Sequence, residues 1–510
     1  MQCRYAILVA LFVTVGGVAA AQKIVPEPLS IVPNEGVHQK GAQITLLHEG
    51  DASLDFVAGV LSSLVQNDLK SHADKHRRSF YKLGVDTSLF HNPEAYRLTV
   101  TPREVQISGG SAAGVFYGVQ TLRQLIDENG DIPCVVIEDE PRFAYRGLML
   151  DPARHFLPVA DIERFVDAMA RYKFNVLHLH LTDDQGWRVE IAKYPRLTEI
   201  GSLRNETEGD GIPHRGYYTQ EELRALVAYA ARRGVEIVPE FDIPGHSVAA
   251  VASYPWLACR QIDTLRVRTT AGVSPDLLCA GNDSTVTFIR DVIREMAAIF
   301  PSPRFHIGGD EAPLDRWKQC PKCQARKTAL GLKTEAELMG WLLGQAAETL
   351  SDVGKKPMCW YETDIPVYPE GVTVYAWRMG LTAAVTDTAA VHGWPLVLAP
   401  GEYAYFDYPQ ADDERSADWM PVLPLRKTYE FQPQGLPAIG VEATLWGEYM
   451  PDIEKVLYMA FPRVLALSET AWSQPEKRSW ERFKAKLQRQ YRLMEKAGIP
   501  FRRPSENELD

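Results

Sequence analysis

The segment Phe305-His306-Ile307-Gly308-Gly309-Asp310-Glu311 closes an apolar, β-rich run with two glycines and two consecutive carboxylates. Glycine lets the backbone bend sharply as a strand ends, so both acidic side chains are predicted to project into a site beside it. Paired carboxylates are the equipment of glycoside hydrolysis, where an acid and a base or nucleophile flank the bond being broken. Residues adjacent in the chain cannot easily flank a bond from opposite sides. One of the two is therefore expected to act on the leaving oxygen, and the other to do something else.

Other chemistry-bearing residues follow apolar runs in the same way. They are Asp151 and Arg154, Asp183-Asp184, Asp242 and His246, Glu362 after Trp360, Trp377-Arg378, Tyr405 and Asp407, and Trp446 with Glu448. Carboxylates and a guanidinium grip hydroxyls by charge-assisted hydrogen bonds, and indole rings stack on the apolar faces of sugars. Singly, each tryptophan reads as core packing; their coincidence with the ends of the runs favours a carbohydrate pocket. His178-Leu179-His180, with Asp183-Asp184, His246 and His306, offers a metal site as a rival, since residues two apart on a strand share a face. The run ends, however, are richer in Trp, Arg and Glu than a coherent ligand set requires. His178, His180 and His306 are expected to be structural histidines, and the chemistry to need no cofactor and no catalytic metal.

Eight apolar runs must position these groups: Leu148–Leu150, Val176–Leu181, Val235–Phe241, Arg304–Ile307, Pro357–Trp360, Val372–Trp377, Pro395–Ala399 and Ile439–Leu445. Such runs suit strands buried on both faces. Between them, Thr219-x-x-Glu222 and Thr334-x-x-Glu337 read as capping boxes, and Ile453, Val456, Leu457, Ala460, Phe461 and Val464 form one helical stripe. Residues 143–510 are thus predicted to form an α/β fold, a (β/α)8 TIM barrel, whose catalytic groups lie at the C-terminal ends of its strands. A doubly wound sheet is the alternative, but no glycine-rich phosphate loop follows any run. Residues 22–142 read as a small α/β domain without a catalytic constellation. Polarity alternates over Tyr96–Val100 and Glu104–Ser108, and Val115, Val119, Leu122, Leu125 and Ile126 then keep one helical face.

The chain has 510 residues and a formal net charge of -11. Without a dominating Lys/Arg cluster, nucleic acid is not an expected partner. Residues 1–21 read as a signal peptide: Arg4, an apolar stretch from Ala6 to Val15, then Ala19 and Ala21 before Gln22. Periplasmic or extracellular export follows, with no stable membrane insertion after cleavage. Cleavage leaves Cys134, Cys259, Cys279, Cys320, Cys323 and Cys359. Cys259 and Cys279 bracket one loop, and Cys320-x-x-Cys323 is a weak zinc signal without a second pair at zinc spacing. A local disulfide or two free thiols are expected there.

Taken in order, these segments resemble the family 20 glycoside hydrolases, the β-N-acetylhexosaminidases. The resemblance is carried by Arg146–Asp151 running into Arg154-His155-Phe156, by His178–Trp187, by Glu240–His246, by Gly308–Glu311 and by Leu445–Glu448. It covers nearly all of the chain after residue 21, and residues 22–142 resemble the small domain that precedes the barrel in that family. It implies that Glu311 protonates the leaving oxygen and later deprotonates water, while Asp310 holds the substrate's acetamido nitrogen. Tyr405 would donate to the acetamido oxygen, and Arg154 would bind hydroxyls at the non-reducing end with Asp407 and Glu448. Trp360, Trp377 and Trp446 would line the acetamide pocket, and Asp183 with His246 would form a hydrogen-bonded pair that tunes Glu311. Such a proton carrier must retain its proton near the working pH, which nearby carboxylates and partial burial favour. The implied reaction is exo-acting, retaining release of terminal β-linked GlcNAc or GalNAc from glycans, with the 2-acetamido group as nucleophile. A disaccharide-releasing relative of the lacto-N-biosidase kind and a non-catalytic glycan-binding protein are the alternatives. The intact Asp310-Glu311 pair argues against the second, since a binding module has no use for a positioned proton donor.

Overall fold

The computed structural model describes residues 23–510 apart from 49, 68–73, 261–264, 415 and 434–437, so the leader-like segment lies outside the described residues. Eight parallel strands close into a barrel: Tyr145–Leu150, Val176–His180, Glu236–Ile243, Arg304–Gly308, Lys356–Trp360, Thr373–Ala376, Leu396–Leu398 and Ala438–Leu445. They pair in sequence order, and the eighth closes on the first with Gly440 opposite Tyr145 and Leu445 opposite Leu150. Each of the eight expected runs is a strand, displaced by a few residues at most. The two capping boxes form as read, at Thr219 with Glu222 and at Thr334 with Glu337.

Side chains alternate across each strand, and this divides the barrel into two environments. Leu148, Leu150, Leu177, Leu179, Phe305 and Ile307 join the main core, which includes the surrounding helices. Tyr145, Val176, Val238, Met358, Trp360, Tyr375, Val397 and Ala399 form a separate cluster, so the interior is a packed core and not a pore. The inward positions also carry charge. His178 lies 3.0 Å from Glu442 and 3.3 Å from Glu240, and His306 lies 2.9 Å from Glu240. His180 is bonded to both Glu240 and Asp183. All three histidines are fully buried, as structural residues should be. Burial opposes the charge on His178, but Glu442 and Glu240 overcome it and push the imidazole up to about 9.

The amino-terminal part forms a six-stranded sheet with Asp55–Asn67 and Ala112–Leu125 as its helices. Its last strand, Ile132–Asp139, delivers Asp139 to the barrel, where the fully buried Lys173 ammonium lies 2.8 Å from one carboxylate oxygen. Trp472 donates its indole N–H to the other oxygen at 2.9 Å. Removing the lysine leaves a desolvated anion without a counter-charge. Lys173→Ala is expected to cost roughly 3–5 kcal/mol of unfolding free energy. Denaturant titration checks this, and a loss below about 1 kcal/mol, the worth of an exposed pair, would show the bridge to be dispensable.

Candidate active site

The turn after the fourth strand is built around a close approach. Gly308 has φ 64°, and a Cβ there would lie 1.6 Å from Asp242 Oδ1. The next amide, of Gly309, donates to that same oxygen at 3.2 Å. The chain then carries Asp310 inward and leaves Glu311 at φ 43°, a conformation that costs a non-glycine residue about 1–3 kcal/mol. The strain is held by a clamp. Glu311 N–H donates to Glu362 Oε1 at 3.2 Å, and Arg378 grips Glu362 through two hydrogen bonds of 2.7 Å. His246, after the third strand, has φ 48° and is similarly constrained.

His246 joins three carboxylates from two other strand ends. Its Nδ1 lies 3.2 Å from Asp183 Oδ1, while its Nε2 lies 3.7 Å from Asp310 Oδ2 and 3.9 Å from Glu311 Oε2. Burial disfavours the imidazolium, yet Asp183, Asp310 and Asp242 raise it well above the ordinary histidine range. The Asp183 carboxyl is held far below its usual range: burial works against the charge, and Arg154, His246 and His180 outweigh it. Asp310 goes the other way, pushed up to about 6 by burial and by Glu240, Glu311 and Glu362 against the pull of His246. Exposure separates the neighbours, since the Asp310 side chain is 10% exposed and that of Glu311 37%. Of the two carboxylates, that of Glu311 is the one open to solvent.

Arg154 Nη2 lies 2.7 Å from Asp183 and 3.9 Å from Glu448, and Nη1 lies 3.0 Å from Asp151. Its guanidinium carbon stands 5.0 Å from the Trp446 ring centre. Trp446 is half-buried, 5.7 Å from Trp360 and 6.4 Å from Tyr405. Trp360 is a floor residue: it is fully buried and donates its indole N–H to Glu240 at 2.8 Å. Trp377 packs against the interior cluster and donates to the Tyr361 carbonyl at 3.1 Å. Burial, and then Asp407, keeps the Tyr405 phenol protonated as a donor, and burial with Glu448 pushes the Asp407 carboxyl well up. All eleven residues to which the resemblance gives a role thus lie at the C-terminal ends of barrel strands or in the loops directly after them.

Arg154 Nε, His246 Nε2, Asp310 Oδ1, Asp407 Oδ1 and Glu448 Oε2 are buried without a hydrogen-bond partner among the described residues. Native interiors rarely tolerate such atoms, so their concentration here suits a ligand rich in hydroxyls and amides. The Asp183 carboxylate is engaged by its protein neighbours on both oxygens. Asp183 Oδ1 already accepts from His246 and Oδ2 from His180 and Arg154. Sequence reasoning recorded Glu362 and Arg378 at strand ends without seeing that they hold the Glu311 turn. It named Glu240 only as the start of the Glu240–His246 segment, without a role, and missed Glu442; a glutamate at an inward position of an apolar strand was the signal for both.

The catalytic-domain model of glycosyl hydrolase family 20 matches residues 143–475, and the model of that family's domain 2 matches residues 21–140. The chain belongs to glycosyl hydrolase family 20. It is a glycoside hydrolase, and its barrel with a preceding small domain is the architecture of this family. A β-hexosaminidase of Akkermansia muciniphila is 45% identical over 405 residues, which span 77% of this chain and 82% of that protein. A crystal structure of a β-N-acetylhexosaminidase superimposes with a TM-score of 0.83 at 39% identity, covering 95% of this chain and 98% of the other. A mutant Streptomyces plicatus β-hexosaminidase in complex with its product GlcNAc superimposes at 0.84 and 32% identity, covering 95% and 97%.

Proposed function

We propose that this family 20 enzyme removes terminal β-linked GlcNAc or GalNAc, with retention of configuration and with the substrate's acetamido group as nucleophile. The observation that carries the reading is the approach of Asp310 and Glu311 to one nitrogen, His246 Nε2, from consecutive positions. Two carboxylates on one wall do not serve as acid and opposed nucleophile, so the nucleophile comes from the sugar. The acetamido oxygen attacks C1 while Glu311 gives its proton to the leaving oxygen. Asp310 accepts the acetamido N–H and balances the positive charge of the oxazolinium ion, and Tyr405 donates to the acetamido oxygen. Water then attacks C1, loses its proton to Glu311, and restores the β configuration. No cofactor enters these steps.

Arg154, Asp407 and Glu448 would hold the remaining hydroxyls. Beside Arg154 and Glu448, Glu208, Thr269 and Ala271 line the wall of the pocket: Glu208 N–H donates to the Thr269 carbonyl at 2.8 Å, and Ala271 N–H donates to Glu208. That wall supports a site for one terminal sugar, against release of a disaccharide. The bound GlcNAc in the Streptomyces plicatus relative supports the choice of sugar. The leader-like residues 1–21 support export to the periplasm or the exterior.

Aryl glycosides test the reading. The β-GlcNAc glycoside should be cleaved, and the β-glucoside, lacking only the acetamide, refused by roughly 10⁴-fold, as a site built to bond a polar group refuses its absence. Comparable rates on both would overturn it, and efficient cleavage of an aryl lacto-N-bioside would replace it with disaccharide release. The pH dependence gives a second handle. Asp310 must be ionised to balance the oxazolinium, so kcat/KM should rise as pH climbs through about 6. His246 holds that carboxyl down, so His246→Gln should move this acid limb to higher pH. An unmoved limb would remove His246 from the electrostatics of Asp310.

A further inference from the structure

The sulfurs of Cys259, Cys279, Cys320 and Cys323 all lie within 4.8 Å of one another, apart from the sugar pocket. We propose that these four cysteines bind one zinc ion in a closed, structural site. The sequence offers Cys320-x-x-Cys323 as a lone pair; the fold supplies the second pair from a loop after the third strand.

The spacing is that of a tetrahedron. Cys279 Sγ lies 3.6 Å from Cys323 and 3.8 Å from Cys320, and Cys259 lies 3.7 Å from Cys323. Thiolates about 2.3 Å from a tetrahedral zinc are separated by about 3.8 Å. The sulfurs do not sort into pairs, because Cys279 and Cys323 each have two near neighbours. Cys279, Cys320 and Cys323 are buried and Cys259 is half-buried, and four thiolates would fill a tetrahedral shell with no position left for a reacting water.

The backbone around the cluster is shaped for it. Cys320 precedes the helix Pro321–Ala329, so Cys323 lies in its first turn. Opposite, Gly281 approaches that turn so closely that a Cβ would lie 2.1 Å from Lys322 C and 2.2 Å from Cys323 N. Closure by a metal would tie two loops that matter to the sugar site. Leu278, beside Cys279, donates its N–H to the Pro244 carbonyl at 3.0 Å, two residues before His246. Trp317, between Glu311 and Cys320, donates its indole N–H to the Leu278 carbonyl at 2.9 Å.

The test uses the intact folded chain without residues 1–21, purified without chelator. About one zinc per chain is expected by elemental analysis, with release when a mercurial caps the thiols. Denaturation in chelator should expose all six remaining cysteines to a thiol reagent, and non-reducing peptide maps should contain no disulfide among the four. Zinc far below one per chain, iron in its place, or a Cys259, Cys279, Cys320 or Cys323 disulfide would each overturn the proposal. Cys323→Ser should lose the zinc while Cys134→Ser keeps it. If the first variant fails to fold, zinc content and thiol count of the unaltered chain still decide.

Discussion

Glu311→Gln is expected to lower kcat/KM on oligosaccharides by about 10²–10⁴-fold with the thermal unfolding midpoint unchanged. The amide keeps the size of the side chain and leaves the backbone bond to Glu362 intact, so the strained turn stays clamped. What it loses is the proton. Sugar leaving groups are poor and need protonation as the bond breaks, whereas an aryl leaving group of low pKa needs little. The loss on such an aryl glycoside should therefore be markedly smaller in the bond-breaking step. Parallel losses on both substrates would remove Glu311 from leaving-group protonation, and near-normal turnover on oligosaccharides would remove it from the mechanism.

Asp310→Asn is expected to cost about 10²–10³-fold in kcat, the scale of deleting one preorganised group aimed at developing charge. Asparagine can still accept from the acetamide, but it brings no negative charge to the oxazolinium. The same change should weaken an N-acetyl-thiazoline, a mimic of the cyclised intermediate, and should abolish the acid limb near pH 6. Stability should move the opposite way. Burial lets Asp310 retain a proton up to about 6, against an ordinary 3.8, so the fold binds more protons than the unfolded chain across that window. Stability contributed at this position therefore declines as pH rises from about 4 to 6, and the asparagine variant should lack the decline. Unaltered thiazoline binding would sink the proposed role for Asp310.

Much of this site was legible because barrel geometry converts sequence position into spatial position. Strand ends far apart in the chain meet at one rim, so Asp183, His246 and Asp310 could be grouped before any distance was known. The period-two alternation also separated Leu177 and Leu179, which face the helices, from His178 and His180, which face inward. Partners across the barrel stayed hidden. Nothing local to Glu240 announces that it receives His178, His180, His306 and the indole of Trp360, since those contacts cross from three other strands. The cysteine cluster was half-hidden for the same reason: Cys320-x-x-Cys323 is visible along the chain, but Cys259 and Cys279 join it only in space. The joint at Asp139 and Lys173 was likewise invisible, because it depends on the amino-terminal sheet packing against the barrel.

The histidine–carboxylate chain beneath the pocket has a consequence for how such an enzyme adapts. Its ion-pair contacts of 2.5–3.7 Å run from Glu442 through His178, Glu240 and His180 to Asp183, and from there through His246 to Asp310. Most of its members lie out of reach of any sugar, yet Glu240 already bears on the acidity of Asp310. Habitat and diet can therefore be tuned on separate residues: the rim decides which glycan is cut, and the floor decides the acidity at which cutting is fastest.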